Sequence, residues 1–141
     1  MKNTGILLII SFLFFLSGCN KFPWIKEGEC DYCYSEKPGT VAVRLNFSRQ
    51  YDDESEIYYT VYQGKAFGSA IVLEGKTSYS YLDIYMEPDK SYTIVAEYFK
   101  FNKTYYVINE CTTKIKYLRS VCDDPCYYVF DTQCDLELKI L

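Results

Sequence analysis

From Val41 onward the chain repeats one pattern, in which side chains of opposite character alternate residue by residue. Val41, Val43, Leu45 and Phe47 alternate with Ala42, Arg44, Asn46 and Ser48. Successive side chains of a strand point to opposite faces, so such a run has one face to bury and one to solvate. Ile57, Tyr59 and Val61 alternate in the same way with Tyr58, Thr60 and Tyr62. Leu82, Ile84 and Met86 alternate with Tyr81, Asp83 and Tyr85, and Tyr92, Ile94, Ala96 and Tyr98 form the inward set of a further run. Between them lie a polar, acidic loop at residues 48–55, a turn bracketed by Gly64 and Gly68, and a break at Pro88 and Asp89. A short strand is expected at residues 70–73, stopped by Glu74, Gly75 and Lys76. Residues 100–103 read as a turn, and residues 104–118 as one long strand or two short ones. Residues 122–126 read as a tight turn, and residues 127–130 and 136–140 as closing strands. Many short strands with regular turn signals predict an all-β fold, a two-sheet antiparallel sandwich.

Composition narrows the function classes. The chain is 49% hydrophobic and 18% aromatic, with sixteen tyrosines, far from the profile of a disordered segment. Tyrosine, valine, isoleucine and threonine favour strands. The net charge of −4 and the lack of a basic stripe argue against nucleic acid as a partner. The chain has no histidine, which removes the Ser-His-Asp and Cys-His arrangements and the commonest general base. The carboxylates Asp52, Asp53, Glu54 and Glu56, and Asp123 with Asp124, fall in expected turns and read as solvated loops. A glycosidase pair would face across a cleft, and a calcium loop would follow a ligand spacing absent here. No catalytic residue and no cofactor is expected.

The N-terminus carries an address. Met1-Lys2-Asn3 is followed by an apolar run from Ile6 to Leu16, too short to span the roughly 30 Å hydrocarbon core as a helix. It ends in Leu16-Ser17-Gly18-Cys19. That run resembles the lipobox of bacterial lipoproteins, in which the cysteine thiol takes a diacylglyceryl group. The resemblance implies a signal peptide over residues 1–18, cleavage before Cys19 and a multi-acylated N-terminus that partners the lipid bilayer. Asn20 follows, without an aspartate retention signal or an acidic export tag, which points to the outer membrane of the cell envelope. Residues 19–29, with Pro23 and Gly28, read as a tether. Residues 30–141 form the expected single domain, with residues 111–141 as a C-terminal β extension.

A local motif refines the fold. Met86-Glu87-Pro88-Asp89-Lys90-Ser91-Tyr92-Thr93-Ile94 resembles the corner between strands E and F of fibronectin type III domains, where a tyrosine hydroxyl bonds back to nearby backbone. Residues 59–62 resemble strand C of that family, residues 71–73 strand C′ and residues 81–86 strand E, so the resemblance spans roughly residues 40–110. The family's strand B tryptophan is missing; Phe47 or Leu45 takes its place, and Trp24 lies in the tether.

Of seven cysteines, Cys19 is assigned to lipid, leaving Cys30, Cys33, Cys111, Cys122, Cys126 and Cys134. An even set in an exported chain reads as disulfides. The fibronectin-like resemblance implies that Cys30, Cys33 and Cys111 share one pole, so bridges are expected from Cys30 or Cys33 to the C-terminal region. Three rivals remain: a four-sulfur zinc site from Cys30, Cys33, Cys122 and Cys126, a redox pair of Cys30 with Cys33, and thiols that stay reduced where export is not oxidising.

The outward tyrosines form the last signal. Tyr58 and Tyr62 on one strand, and Tyr79, Tyr81 and Tyr85 around another, exceed what a core needs. With Phe99, and with Tyr105 or Tyr106, Tyr58 and Tyr62 define an aromatic outer sheet face. The C-terminal extension is expected to fold across it; left open, the face would suit an envelope protein or a glycan. The functional expectation is a membrane-anchored, non-enzymatic binding or assembly module. The alternatives are a thiol-redox or zinc protein and a structural accessory of a surface appendage or envelope complex.

Overall fold

The computed structural model describes residues 33–48, 56–119 and 124–139. The lipobox, Cys30, Cys122 and the loop carboxylates Asp52, Asp53 and Glu54 lie outside the described residues. Among the described residues nine strands follow in order: β1 (Val41–Phe47), β2 (Ile57–Gln63), β3 (Ile71–Thr77), β4 (Tyr81–Met86), β5 (Ser91–Lys100), β6 (Lys103–Thr112), β7 (Lys114–Tyr117), β8 (Tyr127–Phe130) and β9 (Gln133–Leu136). They form a three-stranded sheet β4-β1-β9, a four-stranded sheet β3-β2-β5-β6 and a hairpin β7-β8.

The alternation places the core. Val41, Val43, Leu45 and Phe47 from β1 meet Ile57, Tyr59 and Val61 from β2, and Tyr92, Ile94, Ala96 and Tyr98 from β5. Ile84 and Met86 of β4 and Leu136 of β9 complete the buried cluster. Phe47 and Tyr59 touch across it, with ring centroids 6.0 Å apart.

The expected corner is present. Tyr92 is buried, and its Oη accepts the Glu87 N–H at 3.3 Å. The turn of residues 100–103 is a two-residue hairpin in which Phe101 and Asn102 both have positive φ, 51° and 56°. That twist matches the twist of paired strands.

Three local expectations change. β3 does not stop at Glu74 but runs to Thr77. Gly75 lies opposite Tyr59, and a Cβ there would come within 2.6 Å of Tyr59 Oη and 2.8 Å of its ring. The glycine marks a close approach inside a strand, not a turn. Residues 104–118 take the second of their two expected forms, two strands, split at Thr113 into β6 and β7. The last strand is Gln133–Leu136, earlier than residues 136–140. Finally, β9 lies parallel to β1, so one pair departs from the antiparallel plan. β4 occupies one side of β1; the side left over is paired by β9, and the Arg44 N–H donates to Thr132 O at 2.8 Å.

The C-terminal strand is locked in place by side chains. Tyr98 Oη, fully buried, donates to Leu136 O at 2.6 Å and accepts the Ser48 N–H at 3.2 Å. Burial pushes the Tyr98 hydroxyl pKa above its ordinary value. Ser48 Oγ accepts the Leu138 N–H at 2.6 Å. Asn109 of β6 donates to Asp135 O at 2.8 Å, and Cys111 is bonded to Cys134. The two sheets are thus stitched together along the β6–β9 side.

The hairpin docks on Asp89, in the turn between β4 and β5. The Asp89 N–H donates to Thr113 O at 2.7 Å, and its carboxylate accepts the Ile115 N–H at 3.2 Å. Lys37 pairs with the same carboxylate at 3.1 Å. Asp89 holds φ +61°, a conformation that aspartate tolerates better than most residues. Cys33 is bonded to Cys126, and Tyr34 bridges Tyr127, which fixes the segment before β1 to the hairpin.

Candidate functional site

The outer face of β3-β2-β5-β6 is built by register. Opposite residues of antiparallel strands share a face, so the pairings assemble rows across all four strands. One row runs Lys76, Tyr58, Glu97, Tyr106. The next runs Glu74, Thr60, Val95, Ile108, and a third runs Ile71, Tyr62, Thr93, Glu110. Beyond the first row, Phe99 lies opposite Thr104.

Tyr58, Phe99, Tyr106 and Ile108 are each more than half exposed. The register inferred for Tyr58 and Phe99 is therefore the one observed. Tyr62 also points outward but is half-buried, because Phe67 leans on it with ring centroids 5.8 Å apart. Val95, outward by alternation, is buried between Thr60 and Ile108 at the centre of the face. Of the two candidates on β6, Tyr106 is the outward ring; Tyr105 packs against the core. Ile108 was not among the sequence candidates, although the alternation that puts Tyr106 outward puts Ile108 there too.

The expected cover does not form among the described residues. The extension goes elsewhere: β7 and β8 dock at the Asp89 corner, and β9 joins β1. Leu136 is buried in the main core there, and Val129 and Leu138 pack against it. The aromatic face is left open by the described strands. Tyr58 and Tyr106 flank Glu97 on neighbouring strands, so their Cβ atoms are about 10 Å apart. Two ring faces with a carboxylate acceptor between them can stack on flat apolar ligand surfaces and accept hydrogen bonds from hydroxyl or ammonium groups.

The other exposed tyrosines separate from this face. Tyr81 and Tyr85 lie on the outer side of β4, where Arg44 forms a two-pronged pair with Asp83 at 2.8 and 2.9 Å. That pair holds the Asp83 carboxyl below its usual range, and the Arg44 guanidinium stands 4.7 Å over the Tyr81 ring. Tyr79 is exposed in the β3–β4 turn.

On the side away from β6 and β9 no disulfide or side-chain tie joins the two sheets among the described residues. A cleft of about 250 Å³ opens between β3 and β4, lined by Val61, Val72, Leu73, Ile84, Met86 and Tyr92 among others. Val72 is more than half exposed and Leu73 is exposed. Nothing in the alternation marks this seam, since it depends on which strands end up at the sheet edges.

The cysteines described are bridged: Cys33 with Cys126, and Cys111 with Cys134. Of the expected bridge from Cys30 or Cys33 to the C-terminal region, the one from Cys33 is present, and Cys33 is not paired with Cys30 as the redox rival required. Among the described residues no three His, Cys, Asp or Glu side chains are grouped to hold a metal ion. Glu56, the one member of its acidic run within the described residues, pairs with Lys76 at 2.7 Å. No family model, curated protein or solved structure matches the chain, so the strand rows and the seam are what describe its candidate surface.

Proposed function

We propose that this chain is a lipid-anchored, non-enzymatic binding or assembly module of the bacterial cell envelope, with the outer aromatic face as its partner surface. The observation that carries the reading is the open row of Tyr58, Glu97 and Tyr106, with Phe99 and Ile108 beside it. Buried aromatic anchors dominate many binding energies, and an exposed apolar patch of this kind commonly marks an interaction site. A protein or a glycan of the envelope is the ligand class that suits it. The lipobox Leu16-Ser17-Gly18-Cys19 supports the anchor, with outer-membrane attachment on the periplasmic or cell-surface side. The division of strands into β4-β1 and β3-β2-β5-β6, with Tyr92 bonded back to Glu87, supports a fibronectin type III-like sandwich in which β9 borders β1.

Two measurements test the reading. Mass spectrometry of the envelope protein is expected to find an acylated N-terminal Cys19, with Cys19→Ala stalling or releasing the precursor; an unmodified terminus elsewhere would remove the anchor. Co-purification from detergent-solubilised envelope is expected to recover a partner that Tyr58→Ala with Tyr106→Ala loses while the fold is kept. Retention of the same partner by that double variant would exclude the face.

A further inference from the structure

We propose that the protein forms a two-fold dimer by antiparallel pairing of β3 with β3 of a second copy, centred on Gly75. This goes beyond the binding reading and does not depend on it.

The two edges of the larger sheet are treated differently. β6 is held to β9 by Asn109 and by the Cys111–Cys134 bridge. Among the described residues β3 pairs with β2 on one side only. A free strand edge presents unpaired N–H and C=O groups that template another strand, and proteins usually blunt such edges with proline, bulges or shortness. β3 is seven residues long and contains no proline; its one register shift lies at its beginning, opposite Val61 and Tyr62. Ile71, Val72 and Leu73 are exposed beside that edge. The edge is built to be paired.

The charges point to a second copy as the occupant. A two-fold axis perpendicular to the sheet keeps both outer faces on one side, so outward residues must lie opposite outward residues. The register then moves only in steps that keep this parity. Centring on Glu74 sets Glu74 against its own copy, and centring on Lys76 sets two lysines together; both are unfavourable. Centring on Leu73 puts Glu74 opposite Val72. Centring on Gly75 places Glu74 of each copy opposite Lys76 of the other, twice. Glu74 has no ion-pair partner among the described residues, whereas Lys76 already pairs with Glu56. Gly75 at the axis adds no side chain to the junction, and Leu73 faces Thr77 across it. The strand is its own complement in this one register.

The result is a continuous eight-stranded sheet. Both Tyr58–Glu97–Tyr106 rows then lie on the same side, on either flank of the junction. The strand pair is small against a stable interface, so affinity on the order of micromolar is expected.

Light scattering and sedimentation velocity of the full chain in mild detergent test the proposal. Wild type is expected to pass from monomer to dimer with concentration. Glu74→Lys sets like charges against each other at both contacts and is expected to weaken the dimer on the order of tenfold or more. The double exchange E74K/K76E restores opposite charges and is expected to restore the dimer. Circular dichroism establishes that each variant is folded. A wild type monomeric at all concentrations, a dimer indifferent to Glu74→Lys, or assemblies larger than two would each overturn it. So would a folded double exchange that stays monomeric.

Discussion

At the residue scale, two buried tyrosines show how a hydroxyl adds to an aromatic core. Tyr92 accepts a single backbone N–H, from Glu87, and the ring fills the corner. Tyr92→Phe is expected to lower unfolding free energy by about 0.5–1.5 kcal/mol, read as a shifted urea midpoint. Tyr98 serves two backbone groups, on Ser48 and Leu136, where little water can replace it. Tyr98→Phe leaves both without that partner, so a larger loss of about 1–3 kcal/mol is expected; equal losses in the two variants would contradict the clamp. Gly75 is the third case. Gly75→Ala drives a methyl against the rigid, buried Tyr59 ring. Overpacking of that kind costs about 1–3 kcal/mol. Gly75→Ala with Tyr59→Phe is expected to recover part of the loss, since Tyr59 Oη is the nearest atom.

At the element scale, the β7–β8 hairpin is a satellite held by the Asp89 corner. The backbone N–H of Ile115, and then Lys37, keep the Asp89 carboxyl below its usual range. The N–H of Glu137, and then Lys139, do the same for Asp135 beside β9. A depressed folded pKa contributes stability that is fully present above the unfolded value, near 3.9. It is lost as pH falls through the lower folded value. The domain is therefore expected to weaken with acid below about pH 4, with no matching change between pH 5 and 8 from these groups. Asp89→Asn should give a shallower fall in urea midpoint over the acid range. It should also speed hydrogen exchange at Ile115. An acid profile identical to wild type would mean that the hairpin does not depend on this carboxylate.

At the scale of the whole molecule, the two bridges do different jobs. Cys33–Cys126 joins residues 93 apart in sequence, and Cys111–Cys134 residues 23 apart. In the chain-entropy description, stabilisation grows with the closed loop, to about 5 kcal/mol for the longer and about 3 kcal/mol for the shorter. Paired Cys→Ala variants are expected to melt below wild type, with the larger drop for Cys33 and Cys126. The opposite order would mean that the direct tie between the two sheets matters more than the constraint on the unfolded chain. Peptide mapping without reductant checks the pairing itself.

The sequence by itself determined which side of each main strand is buried. Alternation is a local property, and a slip by one residue would turn a whole apolar set to solvent. Ile57, Tyr59 and Val61 inside, with Tyr58 outside, follow from that alone. The corner at Tyr92, whose partner is five residues away, came instead from the resemblance carried by the local motif of residues 86–94. Tertiary structure decided what alternation leaves open, namely which strand lies beside which. Leu136 and its neighbours could bury their apolar residues against the aromatic face or beside β1. The free edge of β1, the Tyr98 hydroxyl and the Cys111–Cys134 bridge selected the second, because there backbone pairing and burial are satisfied together. That choice closed one side of the sandwich and, among the described residues, left the aromatic face open and β3 as the edge with a free side. Each depends on contacts between residues far apart in the chain, which no local period records.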